Sequence, residues 1–212
     1  MHWIDPDSLP EVKGRLERFV LNPHGEIDGF VMASENEVPT LVHTPPHMEP
    51  ELIRHLKPGD LIAIRGVRPR AAHLLAAVAV IAQDATKIVD HGPDHDREHP
   101  KIEKRKMSAA GTVRLSLFGP KSELRGALLH DGMVIRVGPK GAKEVAKLLA
   151  PGATVAVSGE GVETKHGRAV HAREIGSAID ALRPIKEAKP KPKPEPMAKH
   201  EHRHKHDQEA NA

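Results

Sequence analysis

Histidine is the residue type in this sequence that most directly suggests chemistry, because imidazole nitrogens bind transition metals. The chain holds 16 histidines, and the segment HEHRHKH near its end places four of them at alternate positions. These four are His200, His202, His204 and His206. The interleaved Arg203 and Lys205 repel a metal cation, and the entropy of ordering a flexible segment also opposes binding. We therefore predict weak binding of Ni, Zn or Cu by this segment and no other cofactor.

The other clustered histidines have spacings that do not favour a shared metal. His43 and His47 flank the sequence TPP, and a polyproline-like segment at ~3.1 Å per residue would hold their side chains ~12 Å apart. One ion needs each ligand nitrogen at ~2.0–2.1 Å. His91, His95 and His99 have helical spacing, but the neighbouring glycine and prolines leave too short a helix to fix three ligands. Neither group is predicted to form a metal site.

Motifs for catalysis are missing from the sequence. The chain has no cysteine that could act as a nucleophile. It also has no glycine-rich phosphate loop leading into a helix, no nucleophile elbow and no HExxH arrangement. The abundant Asp and Glu residues occur in segments that read as exposed strands and linkers. We therefore predict a binding protein without enzymatic activity.

An internal repeat organises the chain. The segment LKPGDLIAIRG at 56–66 matches LAPGATVAVSG at 149–159. Gly14, Pro23 and Gly29 recur 97 positions later as Gly111, Pro120 and Gly126, and Pro46, Pro58, Gly59 and Gly66 recur 93 positions later as Pro139, Pro151, Gly152 and Gly159. Because turn residues keep their spacing, two copies of one fold are predicted, at about 12–83 and 108–178.

Each copy reads as three strands, a short helix and two strands, the order of an OB-fold barrel. The chain resembles the OB-fold superfamily in this order and size. Its pattern "G(R/T)(L/V)...NP.GE.DG......PPH......L.PGD...RG" is similar to a group of small, largely uncharacterised bacterial proteins. The second copy departs from the pattern, with VGPK where the first has TPPH. The predicted fold class is mainly all-β, with two tandem five-stranded barrels, each carrying a short helix between strands 3 and 4.

The predicted domain boundaries follow the repeat. Residues 1–83 form the first barrel with an N-terminal extension, 84–107 a charged linker, and 108–182 the second barrel. We expect the two barrels to fold independently. Residues 183–212 are rich in Lys and Pro and then in His, a composition that predicts a disordered tail because it cannot bury enough apolar surface.

The OB-fold resemblance implies a ligand surface on strands 2 and 3 and on the loops joining strands 1–2 and 4–5. In the second copy this surface includes Lys121, Arg125, Arg136, Lys165, His166 and Arg168, and in the first copy His24, Arg65, Arg68 and Arg70. Lys and Arg number 9 against 13 Asp and Glu in residues 1–90, but 15 against 11 in residues 91–181. The second copy is therefore the better candidate for neutralising phosphates.

Three functions remain open from the sequence. Single-stranded nucleic acid is the first, although three Phe, one Trp and no Tyr supply few rings for base stacking. A protein–protein adaptor is the second, and transition-metal binding through the His-rich tail is the third. The N-terminal sequence and the lack of a long apolar stretch predict a cytoplasmic protein without a membrane span. The oligomeric state is left undetermined.

Overall fold

The first copy of the repeat forms a closed barrel. The computed structural model describes residues 4–33, 38–70, 72–92 and 100–186. The elements of the first copy are β1 (Glu11–Leu21), β2 (Ile27–Ala33), β3 (Pro39–His43), α1 (Glu49–His55), β4 (Leu61–Val67), β5 (Leu74–Ile81) and β6 (Lys87–Val89). Strand β1 pairs antiparallel with β2 and β4, β2 with β3, and β4 with β5, and the parallel pair β3–β5 closes the barrel. This order is the OB fold that the repeat predicted.

The second copy repeats the architecture. Its elements are β7 (Arg105–Phe118), β8 (Leu124–Leu129), β9 (Val134–Arg136), α2 (Pro139–Glu144), β10 (Thr154–Thr164), β11 (Gly167–Gly176) and β12 (Arg183–Pro184). The same pairings close it, with β9 parallel to β11. The matching Pro-Gly turns hold Gly59 and Gly152 at φ of +100° and +83°, a conformation that glycine adopts without strain. The prediction of two tandem five-stranded barrels is confirmed.

The pairing register is also repeated. Strand β1 has an irregularity at Glu17 and a second one at Asp28 of its partner β2. Strand β7 has its first irregularity at Arg114, and the second falls at Arg125 of β8. Both pairs of positions are 97 residues apart. A β-bulge changes the direction of the side chain at the bulged position. The side chains at these two positions therefore depart from the regular alternation of the strand in both barrels.

The second barrel has two apolar faces. Its interior cluster contains Ala127, Leu129 and Ile135, whereas the alternate residues Leu128 and Val134 belong to the cluster of the first barrel. Leu115, Leu128, Val134, Ala169 and Val162 form one row across β7, β8, β9, β11 and β10. Because successive strand residues point to opposite faces, this row lies on the outside of the second barrel, and the first barrel covers it.

The first barrel supplies a matching row. Its members are Arg18, Val31, Leu41 and Leu74, in register across β1, β2, β3 and β5. The last three are at most 4% exposed. At the contact, Val20 and Leu41 lie beside Leu117 and Phe118 of the second barrel. The two barrels therefore bury equivalent outer faces against each other.

The interface has approximate two-fold symmetry. The Nη2 of Arg114 lies 2.6 Å from the Oε2 of Glu17, and these two residues occupy equivalent bulges. Equivalent positions can meet only near a two-fold axis, so the axis passes between them. Whether residues 1–83 and 108–182 fold as separate units stays a prediction, and the shared interface makes their outer faces dependent on each other.

Some residues of the predicted linker and of the predicted tail belong to the folded barrels. Within 84–107, strand β6 pairs with β5, and Ile102 packs against the first-barrel cluster. Strand β12 pairs with β11, and Ile185 is 8% exposed within the core of the second barrel. The second barrel thus extends to Ile185 rather than ending at 182. The tail from 187 onward, with its predicted disorder and metal ligands, lies outside the described residues.

Two truncations distinguish the barrel from the tail. Ending the chain after Lys186 is expected to leave the thermal midpoint unchanged, because every described core residue is retained. Ending it after Leu182 removes Ile185 and should lower the free energy of unfolding by about 2–4 kcal/mol, the usual loss for a buried aliphatic side chain. Urea unfolding of both truncated chains measures the difference. Equal stability of the two would show that β12 and Ile185 are not part of the barrel.

Candidate nucleic-acid interface

The predicted ligand surface of an OB fold is covered in this protein. That surface consists of strands 2 and 3 between the first and last loops, and in the second barrel it corresponds to β8 and β9. Leu128 and Val134 on these strands are 0% and 2% exposed and pack on the first barrel. In the first barrel, Val31 and Leu41 are covered in the same way. A strand of nucleic acid cannot lie on either face while the barrels are joined.

Arg136 belongs to the interface between the barrels and not to an exposed binding surface. It is 7% exposed. Its Nε donates to the carbonyl oxygen of Leu21 at 2.8 Å, and its Nη2 donates to the carboxylate of Asp28. Gly126 lies opposite Arg136 in the β8–β9 pair, and a Cβ there would collide with the carbonyl of Ile135. The predicted phosphate contact is therefore a buried ion pair.

The β10–β11 hairpin is only partly exposed. His166 packs its ring edge-on against Phe19, with centroids 5.4 Å apart, and its buried Nε2 has no hydrogen-bond partner. Burial lowers the pKa of His166, the neighbouring Lys165 acts in the same direction, and Glu49 opposes them. His166 is thus a neutral interface residue at pH 7. Lys165 and Arg168 are exposed, and among the described residues the carboxylate paired with Arg168 is that of Asp131, at 3.9 Å.

The two predicted cations in the β7–β8 loop and at the start of β8 remain on the surface. Lys121 and Arg125 are both exposed. Arg125 donates to Glu123 Oε1 from Nη2 at 2.6 Å and from Nε at 3.1 Å. Partial burial opposes ionisation of Glu123, but the bonds from Arg125 and from the backbone prevail and lower its pKa. Arg125 is therefore held in a defined position by a carboxylate that stays charged.

Of the predicted residues of the first barrel, Arg65 makes structural contacts, and Arg68 and Arg70 are on the surface. Arg65 ties the N-terminal segment to β4, with Nη2 3.0 Å from Glu11 Oε2 and Nη1 3.2 Å from the carbonyl oxygens of Asp7 and Leu9. It is committed to these contacts. Arg68 and Arg70, in the loop after β4, are exposed.

A cleft of about 520 Å³ lies between the barrels. Equivalent residues of the two copies line it in pairs, namely Pro23 with Pro120, Asp28 with Arg125, His43 with Arg136 and Pro46 with Pro139. Asp28 and Arg125 are the residues at the second bulge of each copy. Bulges are frequent beside ligand sites, where they re-aim a side chain. Because the two-fold axis relates the barrels, equivalent residues of both form the walls of one concave site.

Histidines and one aromatic ring complete the cleft. His24, His171 and the half-buried Phe118 also line it. Burial lowers the pKa of His43, with Arg136 acting in the same direction and Asp28 opposing, so this imidazole is neutral at pH 7. His24 was predicted from the sequence as part of the ligand surface, but Phe118 and His171 were not. One sequence signal could have identified Phe118 as a site residue: the second copy has phenylalanine at the position where the first copy has Leu21.

The described residues contain no group of three His, Asp or Glu side chains that could hold a metal ion. His47 contacts Asp90, with 2.8 Å between Nε2 and Oδ1. His200, His202, His204 and His206 are not among the described residues. None of the helices among the described residues has the length and apolar composition that a membrane span requires.

Comparisons with known proteins add little to this geometry. No protein-family model matches the chain, and no curated protein is similar to it. Among solved structures, it is similar to the crystal structure of a deletion mutant of the single-stranded DNA binding protein from Thermus aquaticus, with 13% identity, a TM-score of 0.25, and coverage of 86% of this chain and 96% of that chain. A similarity this low carries no argument about function. The OB fold rests on the strand pairing itself.

Proposed function

We propose that this protein binds single-stranded nucleic acid through backbone phosphates along the rim of the second barrel. The usual strand surface is buried, so the proposed contacts are exposed cations in the loops and at the adjoining strand ends. These are Lys121, Arg125, Lys165 and Arg168. Phosphate neutralisation by such residues gives binding that depends on salt and little on sequence.

The placement of these cations on both sides of one loop carries the proposal. Gly25, in the first loop of the first barrel, lies against Ile102 and, beside the turn of the β10–β11 hairpin, against Thr164 and Val162. Its neighbours Pro23 and His24 share the cleft with the β7–β8 loop. The two cationic loops of the second barrel therefore flank this loop of the first barrel. A single strand crossing it would meet positive charge at both ends.

Charge reversal tests the proposal. The Lys165→Glu and Arg168→Glu double variant should weaken binding of a thymidine oligonucleotide at all salt concentrations. Four phosphate contacts predict a slope of log affinity on log salt of about −2.8, and losing two should reduce it to about −1.4 at ~0.7 per contact. Fluorescence anisotropy at several salt concentrations measures both.

The matched control lies at the equivalent loop of the first barrel. Arg68→Glu with Arg70→Glu makes the same charge change on exposed residues of the acidic half of the chain, and we expect a smaller effect. If the folded protein binds no oligonucleotide at low salt, or if both double variants weaken binding equally, the rim of the second barrel is not the binding surface.

A protein-binding adaptor remains the second candidate because of one surface groove. A cavity of about 380 Å³ on the first barrel is lined by Leu61, Ile62, Ile81 and Lys13 among others. Leu61 is 53% exposed there, and exposed apolar grooves are typical of protein contacts. A stoichiometric protein that copurifies with the untagged chain, without nucleic acid, would favour this function.

A further inference from the structure

The cleft between the barrels has the size and walls of a small-ligand site. Its volume of about 520 Å³ falls within the ~300–1,000 Å³ typical of such sites, which are mostly apolar with a few convergent polar groups. Four prolines, two from each barrel, and the ring of Phe118 form rigid apolar walls. Rigid flat walls suit a planar ring, because neither partner loses much conformational freedom on contact.

One cation at the edge of the cleft can contact an anionic group of a ligand. Asp28 contributes a carboxylate, and Arg136 pairs with it. Arg125 is then the cation at the exposed edge, where its side chain is 43% exposed. Its partner Glu123 does not line the cleft, but the Glu123 carboxylate lies beside Gly119 of the cleft wall, so a ligand phosphate has to approach the Arg125 donors that do not bond to Glu123. A phosphate group at the cleft edge can accept hydrogen bonds from the free donors of this guanidinium, which has five N–H groups.

The aromatic wall and the cation lie side by side. Phe118 pairs with Leu124 in the β7–β8 ladder, and Arg125 is the bulged residue that follows. The equivalent positions in the first barrel hold Leu21 and Asp28, so the ring and the cation both occur on the second-barrel side only. A ligand with a planar ring next to a phosphate matches this order.

We propose that the cleft between the barrels binds one nucleoside monophosphate unit, with its base against Phe118 and the prolines and its phosphate at Arg125. The unit comes either from a free nucleotide or from one unstacked residue of a single strand. The second source rests on the proposed function, since a strand on the rim would pass this opening. A metal ligand is not favoured, because no suitable group of three side chains occurs among the described residues.

Three probes distinguish the two sources. They are thymidine 5′-monophosphate, a thymidine octanucleotide, and a strand of the same length in which every residue lacks its base. Binding is followed by equilibrium dialysis for the mononucleotide and by competition anisotropy for the strands. We expect the mononucleotide to bind with one site per chain and thymidine or inorganic phosphate alone to bind more weakly.

Two variants and a control test the contacts. Phe118→Leu introduces the side chain found at the equivalent position of the first barrel, which keeps an apolar side chain there but removes the ring face. Loss of one base stack should weaken binding of the mononucleotide about tenfold. Arg125→Gln, at an exposed position, should weaken it about fivefold and flatten its salt dependence. Arg54→Gln removes an arginine that is likewise paired to a nearby glutamate, 3.0 Å away, and should change affinity less than twofold.

Each outcome has a defined meaning. If the octanucleotide binds but the mononucleotide does not, and neither Phe118→Leu nor removal of the bases changes the affinity for the strand, the cleft proposal is overturned while the proposed function stands. If the mononucleotide binds and is weakened by both variants while the octanucleotide does not bind, the cleft is a site for free nucleotides and the proposed function fails. If the folded protein binds no probe, both are overturned. A thermal midpoint measured for each variant confirms that it is folded.

Discussion

Leu128→Asp is expected to lower the free energy of unfolding of the whole chain by about 4 kcal/mol or more. In an isolated barrel, an outward residue of strand β8 would be exposed, and this substitution would have little effect. Here Leu128 is 0% exposed, and it packs in the cluster of the first barrel. The variant loses a buried leucine and places a charge in an apolar interface, and both effects are large.

The control for this variant is another outward leucine. Leu61, on the outer face of β4, is 53% exposed, and Leu61→Asp should change stability by less than about 1 kcal/mol. Urea unfolding of the two variants beside the unmodified chain gives the comparison. A similar small change for both would mean that the barrels do not share an apolar interface in solution.

Arg136→Met is expected to destabilise the chain by about 3–5 kcal/mol, because it leaves the Asp28 carboxylate without its cation. The two side chains are 9% and 17% exposed, so water screens the pair only weakly. The variant also removes the donor to the carbonyl of Leu21, which then lacks its 2.8 Å hydrogen bond. Chemical unfolding measures the loss.

A second substitution identifies the cause. Combining Asp28→Asn with Arg136→Met removes the uncompensated charge, and we expect at least half of the lost stability to return. If the double variant is less stable than Arg136→Met, the loss arises from packing around residue 136 rather than from the unpaired carboxylate. A near-normal stability of the single variant would restore Arg136 as a candidate for ligand binding.

Repeated turn residues were sufficient to predict the fold. Pro58-Gly59 and Pro151-Gly152 end the helical segment of each copy, and the alternation at Ile62 and Ile64 gives β4 its inward face. These signals are local, because a turn conformation and a strand period depend on neighbouring residues. They therefore identified both barrels.

The candidate site was only partly predictable because the contact between the barrels is not a local property. Lys121, Arg125, Lys165 and Arg168 are exposed, and their role in binding stays a prediction. Arg136 and His166 had equally suitable positions in the sequence, because the sequence does not show that the first barrel covers them. One signal was present in strand β2, whose residues 29–32 are all buried. A strand that is apolar on both faces indicates that both faces are covered, and FVM in β2 and ALL in β8 are such runs.

The pairing of Glu17 with Arg114 restricts how the two halves can be combined. Two copies of the first barrel in the same arrangement would bring two carboxylates together at the axis, and two copies of the second would bring together two guanidinium groups. Each barrel is therefore repelled at the axis by a second copy of itself and attracted by the other barrel. If an ancestral chain was a symmetric dimer of identical barrels, these positions must have diverged together, and after that divergence neither half could return to self-association without charge repulsion.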